Sequence, residues 1–163
     1  MKKTDNIPER ILPWEEVERQ AVRWRLKSNS IVFTNGVFDI LHQGHIALLS
    51  KAAALGDVLV VGVNSDASVK KIKGDKRPVN DERSRALVLA SLIMVDAVII
   101  FDQETPLELI QKIKPDVLVK GGDYELDTIV GAKEVQAAGG RIEIIALEEG
   151  FSTTAIISRM QNS

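Results

Sequence analysis

Two histidines, His42 and His45, are the only ones in this 163-residue sequence, and they stand three positions apart. A run of strand-forming residues over 31–34 ends before them at Asn35-Gly36, a turn signal, and an apolar run follows over 46–55. This order predicts a strand, a glycine turn and the start of a buried helix, which is the first half of a βαβ unit. On the first helical turn both imidazoles share one face. Ligands of parallel sheets bind where strands end and helices begin, so the pair is positioned to contact a ligand.

Polar and basic residues gather in four segments that fall at predicted strand ends or helix starts. These segments are 35–45, 70–77, 120–124 and 152–159. The carboxyl ends of parallel strands lie at one edge of a sheet, so the four segments are expected to converge there. They are rich in cations and hydrogen-bond donors, and they include helix N-termini, which favour phosphate. The sequence therefore predicts a ligand that carries phosphate.

Other chemistries are disfavoured by what the sequence lacks. It contains neither G-x-x-x-x-G-K-[ST] nor G-x-G-x-x-G, so a P-loop enzyme and a dinucleotide-dependent dehydrogenase are not expected. A zinc site needs three or four protein ligands, and beside the two histidines only Asp39 is an obvious third. We therefore predict no metal site built by the protein.

Several of these features also have ordinary structural explanations. The five basic residues over 70–77 can be a solvated face, and Gly121-Gly122 can be only a turn. Ser152 or Thr153 can be no more than a helix N-cap. Arg159, however, lies seven residues beyond Ser152, two helical turns on and on the same face. Ser152, Thr153 and Arg159 thus form a candidate clamp for phosphate.

The elements that must position these residues follow from hydrophobic periodicity and turn signals. Short apolar runs predict five strands, and these alternate with helices, so we expect an α/β Rossmann-like fold of about five parallel strands with helices on both faces. The predicted strands are 31–34, 58–63, 97–101, 116–120 and 142–145. The predicted helices are 14–26, 46–55, 81–94, 106–113, 128–138 and 153–160, with Asn80 capping the third and Thr105 capping the fourth. Residues 67–80 are expected to be a mobile basic loop.

Composition indicates an ordinary globular protein. The net charge of −2 implies no general affinity for nucleic acid or membrane, and no segment approaches the roughly 20 apolar residues of a membrane span. The sequence has no cysteine and no N-terminal apolar run of the signal-peptide type, which fits a cytoplasmic protein. We expect an N-terminal extension with one helix over 1–29 and one catalytic domain over 30–163. The apolar stripe of that helix, Trp14, Val17, Ala21 and Trp24, is expected either to pack on its own domain or to contact another subunit.

The segments GVFDILHQGH (36–45) and GFSTT (150–154), followed by Arg159, resemble the paired signatures of the HxGH nucleotidyltransferases. The resemblance covers nearly the whole chain from about residue 30 onward. Within that family, NSDASVKKIKG (64–74) and PDVLVKGGDY (115–124) resemble the adenylyltransferases that make ADP-heptose from heptose 1-phosphate. Those enzymes are often fused to a sugar kinase domain, and the resemblance implies the form without one.

The resemblance implies roles for the residues of the histidine segment. His42 and His45 are expected to contact the triphosphate of ATP and to stabilise the pentavalent transition state. Val37 and Phe38 would line the nucleotide pocket, and Gly44 would let the phosphates approach the backbone. Asp39 would orient the turn or a water bound to Mg²⁺, the ion being held largely by ATP itself.

Residues in the other segments complete the predicted site. Lys73 is the preferred catalytic lysine, with Lys70 close behind it, and Asp123 is expected to bind the ribose or the base. Asn35, Lys70 and Arg77 are predicted to contact the acceptor substrate. By resemblance we also expect a homodimer.

The implied reaction transfers AMP from ATP to a sugar 1-phosphate and releases pyrophosphate. A cytidylyltransferase acting on glycerol 3-phosphate or a similar alcohol phosphate is the alternative within the family. A non-catalytic nucleotide-binding domain on the same fold is the alternative from another class, since fold does not determine function.

Overall fold

A computed structural model describes residues 6–147 and 149–162, and its centre is one parallel sheet. The order of the strands across the sheet is β3-β2-β1-β4-β5, and each neighbouring pair is parallel. The strands are β1 (Ile31–Gly36), β2 (Val58–Asn64), β3 (Ala97–Phe101), β4 (Val117–Gly121) and β5 (Arg141–Ile145). This confirms the five parallel strands predicted from the apolar runs, which suit strands buried on both faces.

Helices cover both faces of the sheet, as predicted. The α-helices are α1 (Val17–Leu26), α2 (Gln43–Ala53), α3 (Asp66–Lys73), α4 (Glu82–Ala90), α5 (Leu107–Ile113), α6 (Ala132–Ala137) and α7 (Thr153–Gln161). Apolar side chains of α1, α5 and α6 form one buried cluster with the sheet, and those of α2 and α4 form a second. Each strand therefore contributes alternate side chains to two separate cores.

The sheet reverses its direction of growth at β1. β2 and β3 are added on one side of β1, whereas β4 and β5 lie on the other. In sheets of this kind the ligand binds in the crevice at such a switch point, outside the carboxyl ends of the strands. The crevice here lies at the ends of β1 and β4.

The N-terminal segment is joined to the same core. The backbone N–H of Leu12 donates to the Val98 carbonyl of β3 at 2.9 Å. Val17 and Ala21 of α1 are buried, and Trp14 and Trp24 pack against their cluster. The apolar stripe of α1 thus packs on its own domain, which was the first of the two expectations. The division between 1–29 and 30–163 stays a prediction.

The predicted loop over 67–80 is wrong in its first half, because residues 66–73 form α3. Ser65 caps this helix, its hydroxyl accepting the Ser68 N–H at 3.1 Å, and Val69 is buried. A polar cap and two buried side chains outweigh the high content of lysine, which is itself a good helix former.

Three predicted helices also begin or end at residues other than those expected. Asp81, not Asn80, caps α4, and that helix stops at Ala90 rather than residue 94. Pro106 is the N-cap of α5, where Thr105 was expected to cap, and no side chain there accepts a capping hydrogen bond. Helix α6 begins only after Gly131, whose φ of +84° is left-handed and stops any helix from continuing through it.

No helix in the described ranges, 6–147 and 149–162, has the length and apolar character needed to cross a membrane.

Candidate active site

A cavity of about 320 Å³ opens at the carboxyl edge of the sheet, beside the histidine segment. Its walls come from the turn after β1, the first turns of α2, the end of α3 and the start of α7. The lining residues are Val37, Phe38, Asp39, His42, Gly44, His45, Leu48, Lys73, Arg77, Leu147, Phe151, Ser152, Thr153 and Thr154. Three of the four predicted polar segments therefore contribute to one cavity.

His42 and His45 cap the N-terminus of α2 in a reciprocal arrangement. His42 is the N-cap residue, and its Nδ1 accepts the Gly44 N–H at 3.1 Å. The Nδ1 of His45 accepts the His42 N–H at 3.3 Å, and the two ring centroids lie 3.9 Å apart. Because each Nδ1 accepts a hydrogen bond, the proton of each neutral ring is on Nε2. Both rings therefore offer an Nε2–H donor to a ligand.

Both imidazoles are uncharged at neutral pH. Burial lowers the pKa of His42, and it lowers the pKa of His45 further, to about 4, with repulsion from the neighbouring His42 as the second cause. The free protein thus presents two neutral donors at a helix N-terminus. A bound phosphate would draw their pKa values upward, because it favours the charged ring.

A side chain at Gly44 would crowd its neighbours. A Cβ built there would lie 3.0 Å from Cε1 of His42 and 3.2 Å from Cβ of Phe151. The Phe151 ring is stacked on the His42 ring with centroids 6.4 Å apart. Glycine therefore lets α7 and the His42 ring pack closely around the start of α2. The close approach of phosphate to this glycine stays a prediction.

Phe38 carries an uncommon backbone conformation. Its φ is +49°, which costs non-glycine residues of order 1–3 kcal/mol. The strained turn brings the Phe38 ring to 5.3 Å from the His45 ring. Together with Val37, it forms an apolar wall of the cavity, where we predicted the nucleotide pocket.

Asp39 is buried, and donors from one loop surround its carboxylate. Arg77 Nε lies 2.8 Å away, and the N–H groups of Val79 and Asn80 lie 2.9 Å away. Burial alone would raise the pKa of Asp39, but the Asn80 and Val79 N–H groups and the Arg77 guanidinium outweigh it and lower that pKa. Of the two roles expected for Asp39, these contacts favour orienting the turn. Arg77 lines the cavity while it is paired to Asp39.

Arg85 completes this polar network, and we did not single it out from the sequence. It is 2% exposed, and its guanidinium donates to the Val37 carbonyl at 2.6 Å, the Asn80 carbonyl at 2.9 Å and the Asp66 carboxylate at 2.8 Å. It therefore joins the histidine turn, the 77–80 loop and the start of α3. The available signal was an arginine on the apolar face of α4, four positions before Leu89.

The start of α7 forms another wall of the cavity, next to the histidine turn. Ser152 is the N-cap of α7, and its Oγ accepts the Ala155 N–H at 3.0 Å, as predicted for a cap. The Thr153 hydroxyl donates to the Ile40 carbonyl at 3.3 Å. The Thr153 bond and the stacking of Phe151 on His42 place the α7 N-terminus against the histidine turn, so two helix N-termini face one cavity.

Four predicted residues lie outside the described cavity lining: Asn35, Lys70, Asp123 and Arg159. Lys70, Asp123 and Arg159 are exposed, on α3, after β4 and on α7 respectively. Asn35 is the penultimate residue of β1, and its side chain accepts a hydrogen bond from Lys120 at 2.7 Å. Lys73 does line the cavity, so the geometry favours it over Lys70. The roles of all four residues stay predictions.

The described residues contain no group of three His, Cys, Asp or Glu side chains that could hold a metal ion. Asp39, the only third ligand considered for zinc, has its carboxylate engaged by the 77–80 loop.

Comparison with known proteins places the chain in a family. Residues 33–159 match the family described as cytidylyltransferase-like. The chain belongs to this family and is a nucleotidyltransferase, in agreement with the resemblance noted in the sequence.

Two similar curated relatives are both named Bifunctional protein HldE. The protein from Koribacter versatilis is 52% identical over 150 residues, covering 92% of this chain and 31% of the relative. The protein from Hyphomonas neptunium is 55% identical over 151 residues, covering 93% of this chain and 31% of the relative. The chain thus spans about a third of the length of these relatives.

Two solved structures share the fold. A lipopolysaccharide core biosynthesis protein from Thermoplasma volcanium has a TM-score of 0.59 and 32% identity, and the match covers 74% of this chain and 97% of that one. A pantoate-beta-alanine ligase from Francisella tularensis has a TM-score of 0.60 and 19% identity, covering 90% and 71% respectively. The second likeness concerns the fold alone.

Proposed function

We propose that the protein transfers AMP from ATP to D-glycero-β-D-manno-heptose 1-phosphate, giving ADP-heptose and pyrophosphate. The product would serve the synthesis of the lipopolysaccharide inner core or a surface glycan. Support comes from the relatives named HldE and from the Thermoplasma protein described as acting in lipopolysaccharide core biosynthesis. The cytoplasm, where ATP is abundant, would be the site of this reaction.

The observation that carries this proposal is the pair of neutral Nε2–H donors at the start of α2. They share one cavity with Lys73 and the N-terminus of α7. Helix N-termini and a lysine favour polyphosphate, and Mg²⁺ enters with ATP as part of the substrate. His42, His45 and Lys73 would hold the triphosphate, with Ser152, Thr153 and Arg159 as the second clamp.

The reaction is an in-line displacement at the α-phosphorus of ATP. An oxygen of the sugar phosphate forms a bond to that phosphorus, while the bond to the bridging oxygen breaks and pyrophosphate leaves. Negative charge grows on the leaving oxygens, so the hydrogen bonds from His42 and His45 strengthen as the bond breaks. The side chains position reactants and stabilise charge, and no covalent intermediate with the protein is required.

The end of β4 would supply the base pocket. A Cβ on Gly121 would lie 2.9 Å from Leu147 and 3.0 Å from Leu48, and both leucines line the cavity. Gly122 has a φ of +123°, which favours glycine. A flat base can lie against this backbone and be recognised by its N–H and C=O groups. Asp123 would contact the ribose or base from the same turn.

A panel of nucleotides against phosphate acceptors, with product masses measured, tests the proposal. We expect ADP-heptose from ATP and heptose 1-phosphate, with kcat/KM for ATP at least about tenfold above that for CTP, which one or two base-edge hydrogen bonds can supply. Equal or better use of CTP, or a preference for glycerol 3-phosphate, would overturn the adenylyl assignment within the family. No pyrophosphate from any pair would indicate a domain that binds nucleotide without catalysis.

A further inference from the structure

Lys120 is a cationic side chain that the mechanism above does not use. It lies near the carboxyl end of β4, which pairs with β1 at the switch point of the sheet. Its Nζ donates to Oδ1 of Asn35 on β1 at 2.7 Å. Neither side chain lines the described cavity that contains the histidines.

The ammonium of Lys120 lacks an anionic partner. The residue is half-buried, and burial lowers its pKa. Among the residues that the structure describes, no carboxylate lies within 4.0 Å of it, and its hydrogen bond goes to a neutral amide. A lysine side chain is rarely buried without a paired negative charge. The surroundings of Lys120 therefore suit a bound anion.

Lys120 and the histidines lie on opposite faces of the sheet. Side chains alternate along a strand, so Lys120 shares the face of Leu118, and Asn35 shares the face of Phe33. Leu118 and Phe33 belong to the cluster formed with α1, α5 and α6, whereas α2, which carries His45, packs on the other face. The two sets of donors therefore flank the strand ends from two sides.

In-line displacement requires the attacking and leaving oxygens on opposite sides of the phosphorus. If pyrophosphate leaves toward the histidines, the attacking phosphate must approach from the side of Lys120. We propose that Lys120 and the side-chain amide of Asn35 bind the phosphate monoester of the acceptor substrate. Asn35 accepts from Lys120 through Oδ1, which leaves its Nδ2–H₂ group to donate to the same phosphate. This inference rests on the proposed transfer to a sugar phosphate.

Steady-state kinetics of Lys120→Met and Asn35→Asp separate the acceptor from the nucleotide. Both variants are expected to raise KM for the sugar phosphate at least about tenfold. Lys120→Met removes a donor to the charged phosphate, and Asn35→Asp replaces a donor with a carboxylate that repels it. KM for ATP should stay within about twofold of the wild-type value, and Lys120→Arg should recover part of the loss. The matched control Lys133→Met removes an exposed lysine on α6 and should change neither constant. A rise in KM for ATP alone, or a lower melting temperature with both constants unchanged, overturns the proposal.

Binding of inorganic phosphate tests the subsite without turnover. The reporter is the Asn35 side-chain amide in ¹H–¹⁵N NMR spectra, assigned by its loss in Asn35→Asp. Phosphate should shift this signal in the wild type. The Kd for phosphate obtained from the shift should be at least about tenfold higher in Lys120→Met. An unshifted signal, or equal binding by Lys120→Met, overturns the subsite. A wild type that binds phosphate here yet makes no ADP-heptose would refute the proposed acceptor and leave the phosphate subsite standing.

Discussion

His42 and His45 each have two tasks, because they cap α2 and also supply donors to the cavity. The Nδ1 atoms satisfy backbone N–H groups that a helix start otherwise leaves without partners. These same bonds keep the proton on Nε2, so the capping geometry determines which atom can donate to a phosphate. Substitution of either histidine therefore tests stability and turnover together.

We predict that His42→Ala and His45→Ala each slow turnover by about 10²–10³-fold, the usual effect of removing one donor to developing charge. His42→Ala should also lose about 1 kcal/mol of stability with the cap. His42→Asn is the control, since asparagine caps helices well but lacks the Nε2–H donor. We expect it to keep the wild-type melting temperature and still lose turnover. Near-normal kcat in a folded alanine variant would contradict the assignment.

His45 should also make stability depend on pH. Burial holds its folded pKa at about 4, below the ordinary 6.5, so the unfolded chain binds the extra proton first. The contribution of neutral His45 is fully present above pH 6.5 and is lost as pH falls toward 4. Denaturant unfolding of wild type and His45→Gln across this window measures it. The variant should lose less stability than the wild type on acidification, and parallel curves would exclude His45 as the cause.

At the scale of elements, α3 delivers Lys73 to the cavity. The helix ends there, and Gly74 follows with a φ of +90° and open space around it. In the first half of the segment predicted as a mobile loop over 67–80, the structure thus has a helix whose last residue lines the site. The position of Lys73 therefore depends on the contacts that fix α3, such as that between Asp66 and Arg85.

We predict that Lys73→Ala lowers kcat/KM for ATP by at least about tenfold with little change in melting temperature, because it removes a hydrogen bond to a charged phosphate. Lys71→Ala, on the same helix and outside the described lining, is the matched control and should remain within about twofold of the wild type. If Lys73→Ala lowers the melting temperature but leaves turnover unchanged, the role of Lys73 is structural.

Arg85 joins three elements around the histidine turn. Arg85→Met should destabilise the fold by about 3 kcal/mol, since it leaves Asp66 and two backbone carbonyls without their buried partner. Turnover of the folded fraction should fall as well, because Val37 and the 77–80 loop lose their common anchor. Exposed Arg83→Met on the same helix should stay within about 0.5 kcal/mol. Equal denaturation midpoints for the two variants would contradict this role.

At the scale of the whole molecule, the prediction of a homodimer rests on the resemblance to dimeric nucleotidyltransferases. Val17 and Ala21 of the apolar stripe are buried in the protein's own core, so these two side chains are not available to contact another subunit. Sedimentation velocity at micromolar concentration should give twice the 17.9 kDa mass of the chain. A single species at the mass of one chain would remove the prediction.

The sequence by itself determined the alternation of strands and helices and the place of the histidines on it. These features depend on local properties: apolar β-branched runs suit buried strands, and cap residues such as Ser152 mark helix starts. The strand over 97–101 and the end of α5 at Ile113 were predicted to the residue for this reason. Helix α3 was not predicted, because its three lysines indicated a basic loop and its apolar face is short.

Only the tertiary structure decided which polar groups meet. Asp39 accepts from an N–H group 40 positions away, and Lys120 reaches Asn35 across 85 positions. Such contacts depend on the order of strands in the sheet, and no local pattern shows that β4 lies beside β1. Arg85 was missed for the same reason, since its three acceptors lie on segments that the chain brings together only when the sheet has formed.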